Sequence, residues 1–264
     1  MSRVREIYNK QTNSRPANDF GVEELRIRNR NLFNLQDLCA IIVGCGAIGS
    51  FTASTLARMG VSDFVLYDGD RVAPENIGVQ DFTYHQLGRK KVEAVKQNIY
   101  SINPTSNVHS NHQYVETDNE HGRPFQIAVY NVRPSSEKFV IVMALDSMEA
   151  RKKVAKIIDL NGNDDKRIYQ ALVIDPRMGS ETFQLNKFVK FDYDNYMKTW
   201  YSDEEGDSEP CAARATAYCS TFAGSIIASE IKKHFTKNLS ADEILFNFPN
   251  LVLDSKTDFS QLQK

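Results

Sequence analysis

The sequence has no long apolar run, and its charges nearly balance. Its 264 residues include 32 Lys and Arg against 34 Asp and Glu, a net charge of −2. Nucleic-acid binders usually carry a strongly basic surface, so this balance argues against a nucleic-acid partner. No stretch approaches the ~20 apolar residues of a membrane span, and the first residues lack the apolar segment of a secretory signal. We therefore expect a cytoplasmic protein that does not associate with membranes.

Cysteine is scarce, and its spacing excludes one kind of metal site. The four cysteines are Cys39, Cys45, Cys211 and Cys219, and no two of them form a C-x-x-C pair. A structural zinc site built from two such pairs is therefore excluded. The pattern indicates free thiols in a reducing compartment. Cys39 and Cys45 bracket a strand predicted to be buried, and Cys219 is expected in the core.

The most informative stretch is IIVGCGAIGS, residues 41–50. An apolar run breaks into G-x-G-x-x-G at Gly44, Gly46 and Gly49. A helix-like segment follows, and then FVLYD, which reads as a buried strand ending in Asp68. An acid about 20 residues after the glycines completes the pattern of a nucleotide-binding βαβ unit.

Each part of this unit has its own physical reason. The first glycine allows a tight turn, the second lets a phosphate approach the backbone, and the third lets the helix pack closely on the strand. The N-terminus of the helix, around Ala47, supplies free N–H groups and the positive end of a dipole. Asp68 can accept hydrogen bonds from ribose hydroxyls.

The remaining pattern predicts an α/β fold. We expect a Rossmann-like, mostly parallel sheet with helices on both faces and an antiparallel C-terminal extension. Residues 1–36 read as an N-terminal arm and 37–264 as a single domain, with an irregular acidic crossing loop at about 192–210. The predicted strands are 107–115, 139–146, 167–175 and 179–191, with a strand or hairpin at 243–255. The predicted helices run from near Leu87 to Ile102, over 147–160 and over 211–235, and residues 125–132 form either a short helix or a strand.

Two charged residues lie where a ligand would bind in such a fold. Lys91 is near the start of a helix, where a cation opposes the helix dipole, which points to a nearby anion. Asp146 ends a β-branched run typical of a central parallel strand, the edge where open α/β sheets bind ligands. The alternative for Asp146 is a helix N-cap for residues 147–160.

Together, VGCGAIGS, LYDGDRVAPENIGVQ, LGRKKVEAVKQNIYSINP and VMALDSMEAR resemble the ThiF/MoeB/HesA-type adenylating enzymes, over about residues 38–160. The resemblance implies binding of ATP with Mg²⁺ and adenylation of the C-terminal carboxylate of a small ubiquitin-like or sulfur-carrier protein. It also implies a homodimer. The acyl-adenylate would then pass to a thiol or a sulfur donor.

The resemblance also assigns roles to individual residues. Asp68 matches the acid that holds the ribose, and Asp146 matches the magnesium-binding acid, with Arg151 matching an arginine that follows it. The other matches, to nucleotide-binding or catalytic positions, are Asp70, Asn76, Gln80 and Lys91. These residue types suit the reaction, because the attack of a carboxylate on phosphorus needs charge neutralisation and positioning rather than a covalent catalyst.

The sequence departs from the family pattern in three ways. Val79 stands where the family usually has an arginine, so adenylation would slow unless another arginine replaces it. The N-terminal arginine that reaches the partner subunit has no clean match, although Arg26, Arg28 or Arg30 could serve; the alternative is a solvated helix face. The paired C-x-x-C motifs are missing.

Cys211 leaves two interpretations open. It follows the acidic loop and begins a predicted helix, a place where a thiol has a lowered pKa and some relatives form a thioester. Alternatively, it is an incidental residue of the helix start.

Three other functions compete with adenylation of a protein. Val79 is compatible with an impaired scaffold that keeps the fold to bind a partner. A small-molecule or RNA-borne carboxylate could replace the protein substrate. The glycine pattern alone also fits an NAD-dependent oxidoreductase, but Lys91 and Asp146 would then have no role.

Overall fold

The computed structural model describes residues 31–115, 127, 136–204 and 215–257. The strands are β1 Leu38–Val43, β2 Asp63–Tyr67, β3 Asn107–Asn111, β4 Lys138–Met143, β5 Leu172–Met178, β6 Thr182–Val189, β7 Glu243–Asn247 and β8 Val252–Lys256. The helices are α1 Ala47–Arg58, α2 Lys91–Ile102, α3 Met148–Asp164, α4 Lys166–Tyr169, α5 Tyr193–Met197 and α6 Ala217–Phe235.

The strands form one eight-stranded sheet in the order β3-β2-β1-β4-β5-β6-β7-β8. The first five of these run parallel, and β6, β7 and β8 continue the sheet in antiparallel pairs. The strand order reverses between β1 and β4, and such a switch point opens a crevice at the carboxyl ends of the strands. The predicted Rossmann-like fold with an antiparallel extension is confirmed.

The core lies on both faces of this sheet, because side chains alternate along a strand. In β1, Ala40 and Ile42 pack in the cluster on the side of α1, α2 and α6. Ile41 and Val43 pack in the second cluster, on the side of α3. All six residues of β1 are buried, so the strand that leads into the glycine turn is fixed from both sides.

Helix α6 packs closely on α1. A Cβ at Gly224 of α6 would lie 2.8 Å from the carbonyl carbon of Phe51 in α1. Cys219 of the same helix is buried, which confirms the core position expected for it, and Cys39 and Cys45 are buried as well. Along the part of the chain that the structure describes, no helix is long and apolar enough to cross a bilayer.

Several predicted boundaries are wrong, each for a local reason. Helix α2 begins at Lys91 rather than near Leu87, because Tyr84–Gln86 form a 3₁₀ turn and Gly88 has a φ of +76°. Helix α6 begins at Ala217 rather than at residue 211, since Thr216 is extended. The short helix α4 takes residues that were expected to begin β5.

The acidic crossing segment is more ordered at its start than expected. Residues 193–197 form α5, whose N-cap Asp192 accepts a hydrogen bond from Asn195 N. The C-terminal stretch is a hairpin of β7 and β8, one of the two forms expected. The predictions for residues 1–30, for the loop at 116–124, for most of 125–132 and for Cys211 lie outside the described residues.

Candidate active site

A cavity of about 710 Å³ opens at the carboxyl ends of β1, β2, β4 and β5. It brings together eight of the predicted site residues: Gly44, Gly46, Ala47, Asp68, Asp70, Gln80, Lys91 and Asp146. Gly49 and Asn76 are not among the residues that line it, and Cys211 lies outside the described part of the chain.

The glycine turn is shaped by two tight contacts and one open position. Gly44 has a φ of +96°, and a Cβ there would lie 2.1 Å from Ala144 O. A Cβ at Gly49 would lie 1.9 Å from Gly44 O, so Gly49 serves the packing of α1 on the turn. Gly46 is different, because the nearest neighbour of a Cβ there is Gln80 Nε2 at 4.0 Å. The space above Gly46 is therefore free for a ligand.

Two features at this open position could bind parts of a nucleotide. Gly46 is the N-cap of α1 and has no side chain to cap it, so the first-turn N–H groups face the cavity. The buried Oε1 of Gln80 has no hydrogen-bond partner among the described residues. A helix N-terminus beside open space suits an anionic group, and the unsatisfied amide oxygen of Gln80 suits a hydrogen-bond donor such as a hydroxyl.

Asp68 ties the second strand to the glycine turn. Its Oδ2 accepts a hydrogen bond from Cys45 N at 2.7 Å, and its Oδ1 accepts one from Asp70 N at 2.7 Å. Burial raises the pKa of Asp68, although these two backbone hydrogen bonds act in the opposite direction. The carboxylate is thus held rigidly at the cavity wall.

Lys91, Asp70 and Tyr114 form a chain of polar contacts on the same side. The buried Lys91 Nζ lies 2.8 Å from Asp70 Oδ2, and Tyr114 Oη donates to Asp70 Oδ1 at 2.5 Å. Partial burial would raise the pKa of Asp70, but the hydrogen bonds from Lys91 and Tyr114 outweigh it and hold that pKa below its usual value. The hydrogen bond to Asp70 raises the pKa of Tyr114 to about 12.

Tyr114 was missed by sequence reasoning. It lies just after β3, and its ring lies over Gly69, where a Cβ would be 2.5 Å away. The contact joins residues that are 44 or more positions apart, and the sequence has no local pattern that indicates it.

Asp146 lies just beyond β4, exposed at the cavity rim. Ser147, not Asp146, is the N-cap of α3, and its side chain accepts a hydrogen bond from Ala150 N. The capping interpretation of Asp146 is therefore wrong. Asp203 of the crossing segment also serves this helix, since its Oδ1 accepts from Met148 N at 2.8 Å.

The loop between β2 and α2 places Asn76 and Val79 away from the cavity lining. Asn76 Oδ1 accepts a hydrogen bond from Ala73 N at 2.9 Å and so closes a 3₁₀ turn at residues 74–76. The role of Asn76 in catalysis stays a prediction.

A buried charge cluster beneath the cavity was also missed. Asp175 of β5 is fully buried between two arginines, Arg151 and Arg177, and is ion-paired to both. Arg151 also donates to the carbonyls of Met143 and Leu145, which directly precede Asp146. An acid inside an otherwise apolar strand was the one available signal, because an acid is rarely buried without a partner.

At the opposite end from the glycine turn, the cavity extends over the antiparallel strands. Gln184, Leu245 and Asp254 are cross-strand neighbours in one row, and all three line the cavity. Aromatic rings of Phe183, Tyr201 and Phe246 line the same end. The cavity thus has a polar, glycine-built end and a second end of mixed polarity.

A glycine turn at the switch point, an acid after β2 and a lysine at the start of α2 are the pattern typical of α/β proteins with a Rossmann-like fold. The sequence matches the model of the ThiF family over residues 22–250. The chain therefore belongs to the ThiF family.

Curated relatives match over less than half of this chain. Ubiquitin-like modifier-activating enzyme 5 of Drosophila willistoni is 30% identical over 121 residues, which cover 46% of this chain and 30% of the relative. The enzyme of the same name from Xenopus laevis is 30% identical over 126 residues, which cover 47% of this chain and 32% of the relative. The matched region thus spans about a third of these relatives.

Solved structures match over most of the chain. E. coli MccB with ATP superposes with a TM-score of 0.60 at 16% identity, covering 84% of this chain and 64% of that one. Selenomethionine PaaA superposes with a TM-score of 0.58 at 17% identity, and the match covers 83% of this chain and 63% of PaaA. At these identities the likeness shows the shared fold alone.

Proposed function

We propose that this protein is an ATP-dependent adenylyltransferase that activates the C-terminal carboxylate of a small ubiquitin-like or sulfur-carrier protein. The observation that carries the proposal is the cavity, which is lined by the open glycine turn and by Asp68, Lys91 and Asp146. Membership of the ThiF family and the names of the matched relatives support the same class of reaction.

ATP enters this proposal as a substrate. Its phosphates would lie over Gly46, at the N-terminus of α1, where free N–H groups and the helix dipole favour negative charge. Asp68 would accept hydrogen bonds from the ribose. The ammonium of Lys91 would neutralise phosphate charge.

Asp146 is the residue that we assign to Mg²⁺. A carboxylate at the cavity rim, without a cap role, is a suitable hard oxygen ligand. When bound, the ion would neutralise charge on the phosphates. Arg151, through its hydrogen bonds to Met143 O and Leu145 O, fixes the backbone that presents Asp146.

The reaction needs no covalent intermediate with the protein. A carboxylate oxygen of the substrate would form a bond to the α-phosphorus of ATP, and the bond from that phosphorus to the bridging oxygen would break. Pyrophosphate leaves with the electron pair, and the product is an acyl-adenylate. The chain contributes positioning and charge stabilisation, the terms that such a displacement requires.

The substrate, assembly and compartment are further proposals. Solved neighbours include MccB with MccA, which favours a peptide as the second candidate substrate. The family resemblance supports a homodimer, and three buried free thiols fit the cytoplasm. Cys211 as a thioester-forming residue stays a prediction.

A binding scaffold is the second candidate function, and Val79 favours it. Val79 carries no charge where the family usually has an arginine, so the transition state would lose one source of charge stabilisation. A scaffold would bind the nucleotide or the partner without forming the adenylate.

Calorimetric titration with ATP, with and without Mg²⁺, and separately with NAD tests the nucleotide class. We expect Mg²⁺-dependent ATP binding and no NAD binding; NAD binding alone would overturn the assignment. Exchange of labelled pyrophosphate into ATP, in the presence of candidate carrier proteins and peptides, then separates enzyme from scaffold. A protein that binds ATP and catalyses no exchange with any of them is the scaffold.

A further inference from the structure

The second end of the cavity contains one cation in a fixed position. Three cationic side chains line the cavity in the described ranges, namely Lys91, Arg151 and Arg177. Lys91 belongs to the glycine end. Arg151 turns its guanidinium to backbone carbonyls and to Asp175. Arg177 is the cation next to the antiparallel strands.

Arg177 is held by contacts on two sides. Its Nε donates to Asp175 Oδ2 at 2.9 Å, and its Nη1 and Nη2 donate to Thr199 O and Oγ1 at 2.7 and 3.1 Å. The ring of Tyr201 lies 5.2 Å from the guanidinium carbon. The side chain is 5% exposed, so its direction is fixed before any ligand binds.

These contacts leave donor capacity on the guanidinium. An arginine has five N–H groups. Nη1 carries two of them, and Thr199 O is its hydrogen-bond acceptor among the described residues. The second N–H of Nη1 has no carbonyl or carboxylate acceptor among the described residues, and the buried Tyr196 hydroxyl is the other polar group beside the guanidinium.

Among the residues that the structure describes, the charges in direct contact with Arg177 do not cancel. Arg151, Asp175 and Arg177 are all at least 95% buried, and two cations share one carboxylate. An excess positive charge removed from water is unfavourable unless an anion approaches it. Of the other carboxylates that line this end of the cavity, Asp203 accepts a hydrogen bond from Met148 N at the start of α3. Asp254 lies three strands from Arg177, a distance of about 14 Å.

The position of Arg177 suits the acyl substrate. In the register of the sheet, Arg177 pairs with Gln184, Gln184 with Leu245 and Leu245 with Asp254, and all four line the cavity. Side chains in one such row point to the same face of the sheet. An extended peptide lying on this row would end at Arg177, beside the arginine cluster that holds the turn before Asp146.

We propose that Arg177 binds the C-terminal carboxylate of the acyl substrate, and so selects a free carboxylate and supplies a cation that Val79 does not. This inference rests on the proposed function. The carboxylate must approach the phosphates of ATP, which carry the same sign of charge. A preorganised guanidinium offsets that repulsion and orients one carboxylate oxygen towards the α-phosphorus.

The test uses the full chain, the analogue AMPCPP with Mg²⁺ and two probe peptides. The peptides are acetyl-Leu-Gly-Gly with a free carboxylate and the same peptide as its C-terminal amide. Saturation-transfer NMR gives both affinities. For the wild type we expect the carboxylate peptide to bind at least about tenfold more tightly, as a charged hydrogen bond predicts.

Arg177→Gln removes the charge, and we expect it to bring the ratio of the two affinities close to one. Arg177→Lys keeps the charge without the planar fork and should give an intermediate ratio. The matched control is Arg167→Gln, because Arg167 is exposed, pairs with Asp165 and does not line the cavity. It should keep the wild-type ratio.

The contradicting outcomes are distinct. A wild-type ratio in a folded Arg177→Gln protein overturns the inference, and if that variant fails to fold, an unchanged ratio in Arg177→Lys does the same. Wild-type protein that binds AMPCPP but does not distinguish the peptides overturns the inference alone. Wild-type protein that binds no AMPCPP overturns the proposed function, and the inference with it.

Discussion

The ammonium of Lys91 lies 2.8 Å from Oδ2 of Asp70, so the buried cation at the glycine end already has a carboxylate partner. A phosphate group that binds there must share this ammonium with Asp70 or displace Asp70 from it. The pair also makes stability depend on pH.

Asp70→Asn tests that dependence. The pKa of Asp70 is lower in the folded protein, so its stabilising contribution is present above the unfolded pKa and is lost as pH falls through the folded value. The wild type should therefore melt slightly above the variant at about pH 6, and the difference should shrink as the pH falls below about 4. Thermal melts across this range measure it. Asp70 is 47% exposed at its side chain, so the effect is small, and a difference that grows on acidification would contradict it.

Gly44→Ala should destabilise the fold strongly. Its left-handed backbone and the clash with Ala144 O together predict a loss of about 3 kcal/mol or more in the free energy of unfolding. Gly88→Ala is the matched control, because Gly88 also has a positive φ but has open space around it. It should lose only about 1 kcal/mol. Equal losses in urea denaturation would show that the close contact with Ala144 does not matter.

Asp146→Asn should remove the Mg²⁺ dependence of ATP binding and leave the fold intact. Asp146 is exposed, and α3 is capped by Ser147 instead. Ser147→Ala is the control: it should cost about 1 kcal/mol of stability and keep the Mg²⁺ dependence. Calorimetry with and without Mg²⁺, beside thermal melts, separates the two. Unaltered Mg²⁺ dependence in Asp146→Asn would remove this residue from the metal assignment.

Asp175→Asn should be among the most damaging conservative changes. It leaves Arg151 and Arg177 buried without a charge partner, and breaking a buried pair costs about 3–5 kcal/mol. Glu243→Gln breaks an ion pair with the exposed Lys256, and should cost less than about 1 kcal/mol. Denaturant unfolding gives both values. A loss at Asp175 no greater than at Glu243 would mean that the buried cluster does not stabilise the fold.

The nucleotide end of the site could be predicted because it is local in sequence. The strand before Gly44, the helix after it and the strand before Asp68 follow one another, and their hydrophobic periods are those of buried strands and a helix. The alternating pattern of residues 179–191 likewise indicated the antiparallel β6.

The second end could not be predicted, because it joins distant segments. The hydrogen bonds of Arg151 to Met143 O and to Asp175 form only when α3 packs on β4 and β5. The hydrogen bond of Arg177 to Thr199 O forms only when the crossing segment packs on β5. The contact of Asn76 was not predicted either, while its catalytic role stays a prediction. A loop asparagine fits a ligand role by pattern, yet its Oδ1 closes a turn on Ala73 N.

The hairpin of β7 and β8 makes the two walls of the cavity unequal in rigidity. Every residue of β8 is exposed and β8 pairs only with β7 in the described sheet, whereas every residue of β1 is buried between two partners. Amide protons of β8 should exchange through local opening, while those of β1 should exchange only on global unfolding. The wall at the glycine turn is thus rigid, and the wall formed by Leu245, Val252 and Asp254 can change its conformation. If the proposed function holds, substitutions in this hairpin would change the substrate range without disturbing the glycine turn at the other end.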